Sequence, residues 1–176
     1  MSKIVIEALS ASPETRQALA EILVETVAAG GSVGFMHPLD PAAAAGFWDG
    51  ALASAARGER IVLGAFAGRP LAGTVTLLLD FPPNQPHRAE IAKMMTRPSH
   101  RLAGVASALV RAAEDLAAAR GRTLIVLDTA ADGGASGFYE KLGYVFAGAV
   151  PDYALKPHGG LTATKFYFKR IGPDAR

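Results

Sequence analysis

The segment Arg101-Leu102-Ala103-Gly104-Val105-Ala106 joins a run that reads as a strand to a run whose Val105, Leu109 and Leu116 repeat at helical spacing. Small residues at such a junction let backbone N–H groups come close to a ligand at the positive end of a helix, which favours anions and suits a pyrophosphate. Gly104 and Ala106 would equally permit tight packing of helix on sheet with no ligand, so the residue types alone leave both readings open. Other chemistries are narrowed more sharply. The chain has no cysteine, which excludes disulfides, thiolate nucleophiles and cysteine-bearing metal sites. His37, His87, His100 and His158 show no metal-ligand spacing, so no metal is expected, and His100 is expected only to flank the loop.

The elements that must position this loop follow from periodicity and punctuation. Residues 3–9 alternate as a strand. Ser12-Pro13-Glu14 then opens a helix whose Leu19, Ile22, Leu23 and Val27 share a face, ending at Gly30-Gly31. Asp40-Pro41 opens a second helix through Trp48 and Leu52 to about Arg57-Gly58, weakened by Gly46 and Gly50. Residues 61–67 and 71–79 flank the turn Gly68-Arg69-Pro70 as a hairpin. After a proline-rich loop come a strand over 88–96, a helix over 103–120, a strand over 123–128, a helix over 134–142, and strands over 144–150 and 162–169. One β-α-β crossover inside an otherwise antiparallel order predicts an α/β (α+β) fold, a mixed, mostly antiparallel sheet with helices on both faces.

Bulk properties bound the rest. With 176 residues, 50% hydrophobic and 19% charged, the chain suits one domain over 1–172 with a short C-terminal tail, 173–176. A net charge of +2, with Lys and Arg scattered, argues against a nucleic-acid partner. Apolar runs are too short to span a bilayer and the start MSKIVIEALS has no signal-peptide pattern, so no membrane partner and a cytoplasmic location are expected.

Two segments resemble signatures of the GCN5-related N-acetyltransferase (GNAT) family. Arg101, Gly104 and Ala106 match its coenzyme A pattern of Arg or Gln, two residues, Gly, one residue, Gly or Ala. Phe138-Tyr139 and Gly143-Tyr144 fill the family's aromatic-Tyr and Gly-aromatic pairs. The resemblance implies acetyl-CoA as cosubstrate. Its pyrophosphate would be held by Arg101 and the amides of Leu102, Ala103, Gly104, Val105, Ala106 and Ser107, and its pantetheine would pair with Met94, Met95 and Thr96 as a pseudo-strand. It also implies that Tyr139 protonates the departing thiolate. From reference pKa values of about 10 and ~8.5, full transfer is uphill by about 2 kcal/mol. Two departures stand out: Ala103, where the family often has a basic residue, and Asp132, where it often has Asn.

Glu25-Thr26-Val27, residues 31–36, Arg88-Ala89-Glu90, Leu127-Asp128-Thr129, Pro151, Tyr153 and Tyr167-Phe168-Lys169 resemble a branch of the family that inactivates β-lactam amino-acid toxins such as tabtoxinine. That likeness implies a small-molecule primary amine as acceptor and Glu90 or Asp128 as base or proton relay. As plainer alternatives, Asp128 caps a turn, Glu90 pairs with Arg88 or Lys93, or either carboxylate holds an ammonium substrate. Residues 30–40 are expected to cover the acceptor, with Phe35, Met36 and Trp48 as apolar walls, although Phe35 and Trp48 read as core too. With no nucleophile implied, the amine would attack the thioester directly in a ternary complex. The alternatives are a non-catalytic acyl-CoA-binding regulatory module, or a Rossmann-type nucleotide binder, which the missing G-x-G-x-x-G disfavours. Exposed strands near the C-terminus could pair two subunits as a homodimer.

Overall fold

Ser12 accepts a hydrogen bond from the Thr15 amide at 3.0 Å and opens α1 (Pro13–Ala28), while Asp40 accepts from the Ala42 amide at 3.2 Å and opens α2 (Pro41–Ala56). Each helix starts on a proline, whose missing N–H costs nothing at that position. Gly46 and Gly50 lie inside α2, at ~1 kcal/mol each in propensity, yet burial of Trp48 and Leu52 contributes ~1.5–3 kcal/mol apiece and outweighs them. The computed structural model describes residues 3–68 and 70–172. Arg69 of the expected turn and the tail at 173–176 lie outside the described residues.

The strands are β1 (Ile4–Ala8), β2 (Arg60–Ala67), β3 (Leu71–Leu78), β4 (Arg88–Thr96), β5 (Leu124–Ala130), β6 (Val145–Leu155) and β7 (Leu161–Arg170). The remaining helices are α3 (Val105–Ala119) and α4 (Ser136–Lys141), with a 3₁₀ turn at Pro98–His100. One sheet runs β1-β2-β3-β4-β5-β7-β6. Only β4 and β5 are parallel, joined through α3, and the other neighbours are antiparallel. The mixed sheet with helices on both faces is the one the element order predicts.

Two apolar layers sandwich the sheet. Leu19, Ile22 and Leu23 of α1 and Trp48 of α2 pack with Val62, Leu71 and Met95 on one face. On the other, Leu109 and Val110 of α3 and Tyr139 of α4 pack with Leu63, Ala89, Ile91 and Leu127. Covered on both sides, β3 is buried from Leu71 to Leu77. Gly73 lies beneath the first turns of α3. A Cβ there would lie 2.8 Å from Met95 O and 2.8 Å from Val105 Cγ1, so the missing side chain lets the start of α3 approach the end of β4.

Two irregularities shape the centre. The β4–β5 ladder ends at the pair Glu90–Val126, although β4 runs on to Thr96 and β5 to Ala130, so the parallel strands part and leave backbone edges facing one another. Just beyond, the β3–β4 register slips between Thr76–Ala92 and Thr74–Met95, a bulge in which Lys93 takes φ 51°.

The structure shifts several expected boundaries: α4 spans Ser136–Lys141 rather than 134–142 and β5 runs to Ala130 rather than 128, and two further shifts have local causes. Helix α3 begins at Val105 rather than at residue 103, because Gly104 has φ 84° and turns the chain out of helical geometry immediately before it. Strand β6 continues past residue 150 to Leu155 despite Pro151. It is an edge strand, where a missing donor is tolerated, and it absorbs two extra residues in an irregularity between Val150 and Ala154.

Candidate active site

A cleft of about 440 Å³ opens at the N-terminus of α3. Thr96 lines it from the end of β4, Arg101, Leu102 and Gly104 from the turn, Val105, Ala106 and Ser107 from the first helical turn, and Phe138 from α4. Leu102 has φ 60°, its side chain fully in solvent, so it contributes backbone rather than apolar contact. Gly104 caps α3 with no side-chain acceptor, and the first backbone bond of the helix is made by the Ala108 amide to Gly104 O at 3.0 Å. The amides of Val105, Ala106 and Ser107 therefore lie in the turn whose N–H groups have no acceptor within the helix, the arrangement that binds phosphate. Thr96 Oγ1 is buried here with no partner among the described residues, a donor suited to a ligand that fills the cleft. Ala103 stays in the turn but does not line the cleft, whereas His100, expected only to flank the loop, does line it, with Nδ1 2.9 Å from Ser99 Oγ.

Met94 and Met95 occupy opposite sides of the sheet, Met94 packing against the α3 layer and Met95 buried at 2% exposure in the α1–α2 layer. Neither side chain lines the cleft, so a pantetheine contact from this stretch would be made by the backbone edge that the parted strands expose.

Four ionisable groups converge where β4 and β5 part. Glu90 belongs to the last paired rung, and Arg88 Nη1 donates to its Oε2 at 3.0 Å, so the plainer pairing is made with Arg88. Asp128 lies two residues past the matching rung on β5 and is exposed. Tyr139, 6% exposed, packs edge-on to Phe138 at 5.0 Å and Tyr144 at 5.8 Å. Burial, with the Asp128 charge second, pushes its hydroxyl up to about 12, so it keeps its proton throughout the neutral range. Lys93, on the bulge, has its pKa lowered, chiefly by burial. Arg60 adds to the fall, while Asp128 and Glu90 oppose it. Asp128 is thus in electrostatic reach of both Tyr139 and Lys93.

The loop over 30–40 is tied down from the far hairpin. His37 N–H donates to Pro157 O at 2.9 Å, and the His37 and His158 rings stand 4.4 Å apart. Met36 is 45% exposed on this loop. Phe35 instead packs edge-on to Phe47 at 5.2 Å against the α1–α2 layer, and Trp48 is wholly enclosed there, so Trp48 is core and no acceptor wall. Asp132 is drawn to the β6–β7 hairpin, accepting from Thr162 Oγ1 at 3.3 Å. A larger groove of about 1010 Å³ lies between α1 and α2, but Arg16 and Asp49, which line it, pair with each other at 2.7 Å and it is remote from the parted strands. Among the described residues no group of three or more acidic or histidine side chains could hold a metal ion.

Lys93 reads in the sequence only as a partner for Glu90, and its half-buried place beside the parted strands was missed. Its signal was present as a phase slip: Ala89, Ile91 and Met94 all face the α3 layer, a spacing of two and then three, which in a strand marks a bulge.

Comparison with known proteins bears on the family and the fold. The family model described as acetyltransferase (GNAT) family matches residues 32–144, more than half the chain. Solved structures share the fold. An N-acetyltransferase from Staphylococcus aureus Mu50 superposes with a TM-score of 0.81 at 19% identity, over 97% of this chain and 100% of that one. A ribosomal-protein-alanine N-acetyltransferase from Brucella melitensis gives 0.80 at 18%, over 95% and 99%. An aminoglycoside 6'-N-acetyltransferase complexed with coenzyme A gives 0.75 at 20%, over 98% and 99%. The chain belongs to the acetyltransferase (GNAT) family and is an enzyme of that class.

Proposed function

We propose that this enzyme moves the acetyl group of acetyl-CoA onto a primary amine of a small molecule by direct attack in a ternary complex. The observation that carries the reading is the parting of β4 and β5 after Glu90–Val126, with an amide-lined turn on one side and Glu90, Asp128 and Tyr139 at the opening. The cleft residues from Arg101 to Ser107 would hold the pyrophosphate and the free edge of Met94–Thr96 the pantetheine. The cosubstrate supplies an activated acyl carbon. Among chain groups, an amide of the bulge would support the developing charge on the thioester oxygen.

An acceptor amine of pKa near 10 is only about a thousandth neutral at pH 7, so a base raises the reactive fraction. Asp128, exposed at the opening, takes that role as base or relay, and Glu90, held by Arg88, tunes or assists it. Tyr139 donates to the departing sulfur. With its pKa at about 12 rather than 10, complete transfer to a thiolate of pKa ~8.5 is uphill by about 5 kcal/mol, which favours a hydrogen bond strengthening in the transition state over a free tyrosinate. Proton uptake by Asp128 removes one of the two causes of that rise, so the two groups act in concert.

The domain would span 1–172 in the cytoplasm. Its acceptor would be of the tabtoxinine type, in line with a role in toxin resistance, with Met36 and the backbone about Phe35 near the bound amine. The outer edge of β6, unpaired among the described residues and with Phe146, Tyr153 and Leu155 exposed, would join two copies. The test is release of free coenzyme A thiol from acetyl-CoA across a panel of small amines, in the wild type and in Tyr139→Phe. Amine-dependent release that falls at least about 100-fold in the variant supports the reading. Release that no amine stimulates refutes it.

A further inference from the structure

We propose that Lys93 holds a carboxylate of the acceptor, so that the substrate class is an amino acid, with its amine presented to Asp128. The inference rests on the acetyltransferase reading above and adds the group that selects the acceptor.

The bulge places Lys93 three residues beyond the last β4–β5 rung, with its ammonium beside Gly34 of the loop over 30–40 and outside the lining of the cleft at α3. A Cβ built on Gly34 would lie 3.5 Å from Lys93 Nζ, ordinary van der Waals contact, which places the ammonium beside the loop over 30–40. The ammonium stands 5.6 Å from the centre of the Phe47 ring, inside the range of a cation–π contact. The ion pairs formed among the described residues include neither Lys93 nor Asp128. A half-buried ammonium with no carboxylate in contact is costly, and an anion brought by a ligand relieves that cost. An exposed, unpaired carboxylate and a half-buried, unpaired ammonium therefore flank one opening, and their charges complement those of a zwitterion. The competing reading is that Lys93 only balances Asp128 and Glu90 from a distance, in which case it serves every amine alike.

The experiment compares amino acids with their carboxamides, pairs that differ only in the carboxylate, in the full chain with saturating acetyl-CoA. Lys93→Met and Lys93→Arg are assayed beside the wild type, and stabilisation by acetyl-CoA checks folding and cofactor binding in each. The wild type is expected to favour the acid about 100-fold in kcat/KM, and Lys93→Met to lose about 100-fold on the acid and less than tenfold on the carboxamide. Lys93→Arg should retain part of the preference. Equal losses on both members of a pair, or a wild type indifferent to the carboxylate, overturn the proposal. So does an enzyme that binds acetyl-CoA yet acetylates only amines without a carboxylate, and then the acetyltransferase reading survives. Failure to bind or turn over acetyl-CoA at all overturns both.

Discussion

On the α3 side of the parted strands the groups proposed to face a ligand are backbone amides of residues 105–107 and the turn before them. On the α1–α2 side that part is proposed for the side chains of Glu90, Lys93 and Asp128, with Tyr139 of α4 within the electrostatic reach of Asp128. A cradle of amides depends on chain path and small residues, so many sequences can build it for one cosubstrate. A cluster of charged side chains changes with each substitution and discriminates among acceptors. The aminoglycoside and ribosomal-protein-alanine enzymes with this fold show acceptors differing while the scaffold persists.

The strongest way to break the contrast is Asp128→Asn. Activity at pH 7 should fall between about 100-fold and 10⁴-fold while affinity for acetyl-CoA is unchanged, and the deficit should shrink as pH rises towards the pKa of the acceptor amine. A loss of cofactor affinity in step with activity would merge the two regions into one.

A second test reads Tyr139 through stability. Below pH 10 folded and unfolded chains both keep the phenol proton. Between 10 and 12 only the unfolded chain loses it, so stability should fall, by about 3 kcal/mol once both values are passed. Denaturant titrations over that range should show this share of the fall vanish in Tyr139→Phe. Tyr144, also raised by burial and by Glu114, adds its own share that Tyr144→Phe removes.

The smallest effect concerns the backbone side. Gly73→Ala forces a methyl against Met95 O and Val105 and should cost about 1–3 kcal/mol in urea unfolding, with weaker acetyl-CoA binding as α3 is pushed from β4. Unchanged stability would mean that the close approach is not what sets the cleft.

Much of the scaffold was legible because local signals and burial agree. Ser12-Pro13 and Asp40-Pro41 start helices by supplying acceptors to orphan amides, and the apolar faces of α1 and α3 repeat at helical spacing. The start of α3 was misplaced by two residues because a glycine at positive φ looks, in sequence, like any small helical residue. In the site, the residue types of Tyr139, Glu90 and Asp128 were visible, but burial, which sets the Tyr139 pKa, is a property of packing. Lys93 reads there only as a partner for Glu90 because a lysine in a strand ordinarily points to solvent. Only the bulge turns it inward.

The most direct measurement is thermal unfolding with increasing acetyl-CoA, with NADH and ATP as controls. At about 100 times the dissociation constant acetyl-CoA should stabilise the fold by ~2.7 kcal/mol, raising Tm by roughly 5–11 °C for a domain of this size, and the controls should not. No shift with acetyl-CoA, or an equal one with NADH, would contradict the assignment of the α3 turn as a coenzyme A cradle.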